Sequence, residues 1–330
     1  MMKINILFDI ATTPQGGGNQ FLRGLKAAFK IMGLYSEIEN ADIILFNSHQ
    51  YIDKVLKARK KYSDKVFVHR IDGPIRLYNT MEDRRDSITN TANKYIADAT
   101  VYQSEWSRMA NLEMGLESNF FETTIINGVD DTVFNRIGRK VISEKGRTKI
   151  IASSWSANMN KGFEVYKYLD ETLDFSKYEM MFVGNSPVQF QNIKSIEPRD
   201  SKGLAEILKQ QDIYITASKK DPCSNSLIEA LACGLPAICY NDGGHPEILN
   251  DAGFLFEHKE EIPELLNQVV KNYDDLQKKI QIHNILEIAQ EYVDFFDKIL
   301  ESSDGARKKL SLNGIWNIKA ALWRWKHSGR

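Results

Sequence analysis

Two carboxylates separated by seven residues open the stretch that concentrates this chain's chemistry: Asp221-Pro-Cys-Ser-Asn-Ser-Leu-Ile-Glu229, running on through Ala-Leu-Ala-Cys-Gly-Leu-Pro-Ala-Ile-Cys-Tyr to Gly243-Gly-His-Pro-Glu247. Ile213 to Thr216 reads as a strand feeding a polar loop, and the loop opens a helix whose Leu227, Ile228 and Leu231 recur at helical spacing. Gly234 and Pro236 are expected to stop that helix. Pro236 to Tyr240 then reads as a buried strand ending in Asn-Asp-Gly-Gly, where the backbone can turn tightly or approach a ligand. Two strand ends and two helix starts are therefore expected at one crevice. The N–H groups at Asn225, Ser226 and Leu227 would favour an anion there, most simply a phosphate. Each carboxylate also has a plain reading. Ser226-x-x-Glu229 has the pattern of a capping box, and Asp221 alone would be an ordinary loop aspartate.

A third group belongs with these. Lys161-Gly162 stands at the start of another expected helix, where a lysine could meet a diphosphate; a solvated surface lysine is the other reading. No Asp-x-Asp occurs in the chain, so a carboxylate metal clamp is not indicated, and neither a metal nor any other cofactor is expected.

The elements that must hold these groups fit the size of the chain. At 330 residues it exceeds what one core usually supports, so two domains are expected. Its 42% hydrophobic and 26% charged residues place it among ordinary globular proteins, and its net charge of −1 excludes a generally basic nucleic-acid binder. That small sum hides an asymmetry, since residues 305–330 hold Arg307, Lys308, Lys309, Lys319, Arg324, Lys326 and Arg330 and no acid. Cys223, Cys233 and Cys239 are odd in number and lack metal-ligand spacing, which suggests a reducing compartment. A first strand already begun by Ile4 and no apolar run of bilayer length lead us to expect a cytoplasmic protein.

In the first half, Lys3 to Phe8 reads as a strand and Gln20 to Met32 as a helix, joined by a loop that holds Gly16, Gly17 and Gly18. A dinucleotide fingerprint does not fit, because the glycines come late and Phe21 stands where the third would be. Strands at Ala41 to Phe46, Lys65 to His69 and Ala99 to Tyr102 alternate with helices at Gln50 to Lys61 and Glu82 to Ala97. This alternation predicts an α/β protein with doubly wound parallel sheets, whose ligands lie beyond the carboxyl ends of the strands. His69 falls at such an end, open between a structural and a binding role, and Ser104 suits a helix N-cap. Asn127-Gly128 signals a turn, and the charged run Arg136 to Lys149 reads as an interdomain linker.

The second half restarts the alternation at Ile150 to Ser153. Met181 to Gly184 reads as a strand ending in glycine, Gly203 to Lys209 as a helix, and Lys259 to Ser302 as helical, with Tyr292, Phe295, Phe296 and Ile299 on one apolar stripe. The tail interleaves Trp316, Ile318, Ala320, Leu322, Trp323 and Trp325 with cations. Its two readings are a last helix that packs back on the first domain and a basic, aromatic surface that touches anionic membrane.

The composite pattern of an acidic residue, seven spacers and a glutamate, then Ala-Leu-Ala-Cys-Gly-Leu-Pro and Gly-Gly-x-Pro-Glu, resembles the donor-sugar motif of the retaining nucleotide-sugar glycosyltransferases of family 4. Those enzymes have the GT-B architecture, two Rossmann-like domains facing across a cleft. The resemblance covers nearly the whole chain and is strongest from about residue 148 to 250. It implies an acceptor-side domain at 1–147, a nucleotide-sugar domain at 148–302 and a crossing helix or basic tail at 303–330. By the same resemblance Glu229 holds the ribose hydroxyls and Asp221 the hydroxyls of the donor sugar. Gly17 and Gly18 let backbone approach the diphosphate, the base lies among strand ends such as that at Gly184, and His69 positions the sugar, with Asp72 a further acceptor-side candidate. Lys161 shares the diphosphate with an arginine five residues earlier in the resembling enzymes; here Ser156 stands in that place, which weakens the clamp.

The function so implied is transfer of a sugar, with retention, from a nucleoside diphosphate donor to a hydroxyl on a glycan, lipid-linked or other acceptor. Two rivals share the architecture: a nucleotide-sugar epimerase, and a catalytically idle binding subunit whose basic tail serves a membrane complex.

Overall fold

The computed structural model describes residues 2–10, 17–139, 146–302 and 307–327. Gly16, the middle of the expected linker and the extreme C-terminus with Arg330 lie outside them. The chain divides into two compact units: Met1–Thr12, Leu22–Ile126 and Leu286–Arg330 form the first, and Thr13–Phe21 with Asn127–Ile285 form the second. The changeover thus comes at Asn127 rather than at 147, and the chain returns to the first unit from Leu286 rather than staying in the second to 302.

The first unit carries β1 (Ile4–Ile6), α1 (Gly17–Ile31), which lends its first residues to the second unit, β2 (Ile43–Asn47), α2 (Ile52–Lys61), β3 (Val66–Ile71) and α3 (Ile75–Tyr78). It continues with α4 (Arg85–Tyr95), β4 (Ala99–Tyr102), α5 (Glu105–Glu113) and β5 (Phe121–Thr124). All five strands are parallel and lie in chain order, with Phe46 paired to His69 and His69 to Thr100. The strands β2 to β4 are buried along their whole length, as a parallel sheet covered on both faces requires, so they read as apolar runs.

The second unit contains β6 (Thr148–Ser154), α6 (Phe163–Thr172), β7 (Tyr178–Gly184), β8 (Lys194–Ile196), α7 (Ser201–Leu208), β9 (Ile213–Thr216) and α8 (Asn225–Ala232). β10 (Ala237–Tyr240), α9 (His245–Leu249), β11 (Gly253–Phe256), α10 (Ile262–Lys271) and α11 (Tyr273–Lys278) complete it. Its six parallel strands run in the order β11-β10-β9-β6-β7-β8, so the winding direction reverses between β6 and β9. A sheet wound both ways from its centre leaves a natural crevice at that reversal, outside the carboxyl ends of the strands. The first unit's sheet has no such reversal among the described residues.

The chain closes with α12 (Ile285–Glu301) and α13 (Leu312–His327). Within the first unit Phe296 of α12 lies 6.4 Å from Phe29 of α1, and Ile318 and Ala321 of α13 join the core formed by α2 and α4. Gly314 lets α13 approach α4 closely, because a Cβ there would stand 3.1 Å from the Tyr95 side chain. The segment ahead of α13 is locked by a buried polar cluster. Arg59 grips Asp98 with two hydrogen bonds of 2.9 and 2.8 Å, and Asp98 also accepts from the N–H groups of Phe67 and Lys308.

Candidate active site

The loop after β9 is pinned from two sides within the second unit. On one, Asn158 caps a short 3-10 turn (Met159–Lys161) by accepting from the Asn160 N–H at 2.9 Å, and the Asn160 carbonyl accepts from the Lys219 N–H at 2.7 Å. On the other, Asp242 accepts from the Lys220 N–H at 3.0 Å, and the Gly244 N–H donates to the Asp221 carbonyl at 2.9 Å. Gly243 makes that second contact possible: its φ is +66°, and a Cβ would fall 2.3 Å from the Asp221 carbonyl oxygen. The run Asn-Asp-Gly-Gly thus acts as a close backbone approach, here to the loop that carries Asp221.

So held, Asp221 meets Lys161, whose Nζ donates to Oδ2 at 2.8 Å with both side chains largely covered. Burial works to raise the Asp221 carboxyl, but the Lys161 charge and the Lys161 hydrogen bond outweigh it and hold the group below its ordinary value. Asp221 is therefore an anion and Lys161 a cation with a protein partner, not a solvated surface lysine. His245 opens α9 and is fully buried. Its Nδ1 lies 2.9 Å from the Tyr240 carbonyl, an acceptor, so Nδ1 carries the hydrogen. Nε2 is buried and has no hydrogen-bond partner among the described residues. Burial pushes this imidazole down, against the pull of Asp221, so at neutral pH Nε2 presents a lone pair.

Glu229 corrects an expectation. Because α8 begins at Asn225 with Ser224 as its N-cap, Ser226 lies inside the helix, Glu229 falls in its second turn and no capping box forms. Instead Glu229 Oε1 accepts from Gln20 Nε2 at 3.1 Å, and the same amide nitrogen reaches Ser201 Oγ at 3.0 Å. Part of Glu229 still meets solvent, yet the protein packed around its carboxyl desolvates it, and burial pushes its pKa up to about 8. The site thus holds two carboxylates with opposite tendencies: Asp221 charged beside a cation, Glu229 mainly protonated at neutral pH.

The start of α8 divides the three residues expected to bind there. Asn225 accepts from Asn127 Nδ2 at 2.8 Å, and Ser226 Oγ lies 3.2 Å from Ser224 Oγ. The Leu227 side chain is buried in the core and its N–H donates to the Ser224 carbonyl at 3.1 Å, which takes that N–H away from a ligand. Gly17 seats against Asn225, with a Cβ position 2.4 Å from Nδ2, whereas a Cβ at Gly18 would meet nothing within 4 Å. Gly184 ends β7 at φ +130°, with its Cβ position 1.9 Å from the Ser154 carbonyl, so the ends of β6 and β7 lie tightly side by side.

His69, expected at the end of a strand, is placed inside one. The strand β3 extends to Ile71, so His69 is interior, not terminal. Its ring stacks on Phe46 at 4.3 Å, Nδ1 lies 3.1 Å from Asn93 Oδ1, and Nε2 lies 3.0 Å from the Ser48 carbonyl. Burial pushes its pKa down to about 4, and with both nitrogens engaged inside the core it is a structural histidine. Asp72, just past β3 in the first unit, is partly exposed and braced by Arg70 at 3.0 Å, by Asn47 at 3.1 Å and by Gln103.

Two residues escaped sequence reasoning. Gln20 offers no signal, being a glutamine in the first turns of a helix 209 residues away from Glu229. His245 stood in plain view within Gly-Gly-His-Pro-Glu, and a histidine just before a helix-starting proline was the available cue. Among the described residues no group of three His, Cys, Asp or Glu side chains could hold a metal ion, and the three cysteines are free and buried.

Two parallel α/β units, with the paired charges at the reversal of the second sheet, give the chain the GT-B fold. Residues 139–284, which contain the whole candidate site apart from α1, match the model of the family described as glycosyl transferases group 1. Among solved structures the chain is similar to sucrose-phosphate synthase from Thermosynechococcus elongatus, with a TM-score of 0.71 at 14% identity over 92% of this chain and 100% of that one. It is similar also to Anabaena HepE in complex with UDP-glucose, with a TM-score of 0.70 at 14% identity over 90% of this chain and 100% of that one. In sequence it is 23% identical to a probable sucrose-phosphate synthase of Thermosipho melanesiensis over 67% of this chain, and spans about half (53%) of that relative.

Proposed function

We propose that this protein is a retaining glycosyltransferase of family 4 type that moves a sugar from a nucleoside diphosphate donor to an acceptor hydroxyl, in the synthesis of a glycan, a glycolipid or a cell-surface polysaccharide. The observation that carries the reading is the Lys161–Asp221 pair of 2.8 Å at the strand-order reversal, with the desolvated Glu229 one helical segment on, in a stretch matching glycosyl transferases group 1. The complex of the structurally similar HepE with UDP-glucose supports a nucleoside diphosphate sugar as the donor class.

In this reading Lys161 exchanges partners. Before donor binds, its charge is held by Asp221; with donor bound, it turns to the diphosphate. As the bond from the anomeric carbon to the diphosphate breaks, the electron pair goes to the phosphate oxygen. Lys161 stabilises that growing charge, an effect greatest in the transition state. Asp221, released, accepts from hydroxyls of the sugar, and Glu229 exchanges its Gln20 contact for the ribose. The acceptor oxygen forms the new bond on the face the diphosphate leaves, and its proton passes to the departing phosphate. No step draws on a metal, and a cytoplasmic location is part of the reading, in keeping with three free, buried cysteines.

Steady-state kinetics of Lys161→Ala test this assignment. Loss of a charge-assisted bond of roughly 1.5–3 kcal/mol predicts a fall of about 10- to 200-fold in kcat/KM, with kcat lowered as well as donor affinity. An unchanged kcat would reduce Lys161 to ground-state binding, and unchanged kcat and KM would contradict the reading. One observation favours an idle binding subunit: Ser156 stands where the resembling enzymes have a second cation, and its Oγ accepts from the Asn158 N–H at 3.2 Å as part of a turn. Donor hydrolysis by the protein, even slow, decides against that alternative, and epimerisation of the donor sugar without transfer would favour the epimerase.

A further inference from the structure

The first unit contains a cavity of about 340 Å³ between α4 and α13, at the small end of the range for small-molecule sites (roughly 300–1,000 Å³). None of its lining residues belongs to the proposed transfer site. Arg76, Lys94 and Arg324 bring three positive charges to its lining, and Asp86 and Glu117 bring two negative ones. The acids are already engaged. Asp86 accepts from the N–H groups of Ile75 and Arg76 at 2.8 and 2.9 Å, and Glu117 pairs with Lys94. One net positive charge is left, carried by guanidinium groups suited to phosphate oxygens. Ser87, Asn90 and Thr91 add neutral hydroxyl and amide groups to the same lining, the partners a polyol needs.

To this lining α13 contributes Asn317 and Arg324, two turns apart on one side. Their immediate neighbours Trp316 and Trp323, also seven residues apart, form the adjoining row about 100° round the helix and are 76% and 62% exposed. Leu312, 82% exposed, and the exposed Lys319 and Lys326 continue that row. The opposite side of α13 is buried through Ile318 and Ala321. From Arg307 to His327 the segment has no acid. Exposed indoles and lysines on one stripe suit the boundary between lipid headgroups and acyl chains, and the missing acids suit an anionic surface.

We propose that the α4–α13 cavity binds the phosphodiester headgroup of an anionic phospholipid while Trp316 and Trp323 enter the surrounding bilayer. The single charge of a phosphatidylglycerol phosphodiester balances the one left by the lining, and its glycerol hydroxyls meet Ser87, Asn90 and Thr91.

The test is co-sedimentation of the full chain with vesicles of phosphatidylcholine alone and of equal parts phosphatidylcholine and phosphatidylglycerol, at low and high salt. It reads binding and not turnover, so its outcome is independent of sugar transfer. The full chain is expected to sediment at least tenfold more with the anionic vesicles. Trp316→Ala/Trp323→Ala and Arg324→Gln are each expected to remove most of that gain, and Arg324→Lys to restore part of what Gln loses; all three sites are exposed, so folding is preserved. Equal sedimentation with both vesicle types overturns the proposal. Loss with the tryptophan variant but not with Arg324→Gln or Arg76→Gln overturns the headgroup cavity and leaves only an adhesive face. Full displacement from anionic vesicles by inorganic phosphate, or by soluble glycerophosphoglycerol without vesicles needed for its binding, makes this a site for a free phosphate compound and overturns the bilayer assignment.

Discussion

Glu229 enters the folded protein at a cost that depends on pH. Burial raises its carboxyl from 4.5 to about 8, so its contribution to stability is fully present below about 4.5 and is lost as pH rises through about 8. Glutamine has the shape of the protonated acid and never ionises. Glu229→Gln should therefore melt close to the unaltered protein at pH 5 and above it at pH 9, by about 2–4 °C for each 1 kcal/mol regained in a domain of roughly this size. Parallel melting curves for the two proteins across that range would contradict the desolvated carboxyl. The spacing between Asp221 and Glu229 made both visible in the sequence, but not their opposite charge states. That of Asp221 depends on Lys161, brought in from 60 residues away, and that of Glu229 on the protein packed around its carboxyl, and the sequence carries no sign of either. His69 was misplaced for a related reason. The apolar signal of β3 fades into His-Arg, while in space that pair is covered by Asn93, Asn47 and Phe46, and the strand continues to Ile71.

At the scale of elements, β9 lies where its apolar run ends and α8 stops at the expected glycine, because both rest on local signals that tertiary packing does not override. The expected long helical stretch from Lys259 is divided into α10, α11 and α12, and α10 carries Pro263 in its first turn, where the missing N–H costs no helical bond. What periodicity could not convey is the role of the turn after β10. Gly243→Ala would place a methyl group 2.3 Å from the Asp221 carbonyl at a positive φ, displacing the Asp221 loop while sparing the sheet. We expect at least a tenfold loss of donor affinity by titration, with the circular dichroism of the sheet and helices unchanged. Unaltered affinity would show that the loop position does not matter. In the first unit Arg59→Leu would leave Asp98 buried without its cation. Removing one partner of such a pair typically costs about 3–5 kcal/mol, to be read from urea unfolding. A loss below about 1 kcal/mol would mean that Lys308 and the Phe67 N–H satisfy Asp98 unaided.

For the whole molecule, the alternation of strands and helices made two parallel α/β domains legible, and chain length made two of them necessary. The sequence could not show that the chain returns from the second unit to the first at Leu286, because an amphipathic helix such as α12 records that it covers a core and not which one. Its tail presented both cations and tryptophans, and the structure sorts them: one side of α13 buried on α4, the other open with Trp316 and Trp323. The central claim, that the second unit binds a nucleoside diphosphate sugar through Asp221 and Glu229, is tested most directly by calorimetric titration. The ligands are UDP-glucose and UDP, or the nucleotide pair that best stabilises the protein against heat, applied to the unaltered chain, Asp221→Asn and Glu229→Gln. Titrated at pH 9, where the Glu229 carboxyl is ionised and both of its oxygens accept, Glu229→Gln should weaken sugar donor and bare nucleotide alike by about 1–3 kcal/mol, roughly 5- to 150-fold, since one of two accepting oxygens is lost. Asp221→Asn should keep the affinity for bare nucleotide diphosphate while the sugar donor loses its advantage over it. Unchanged binding of both ligands by both variants would contradict the assignment of the site.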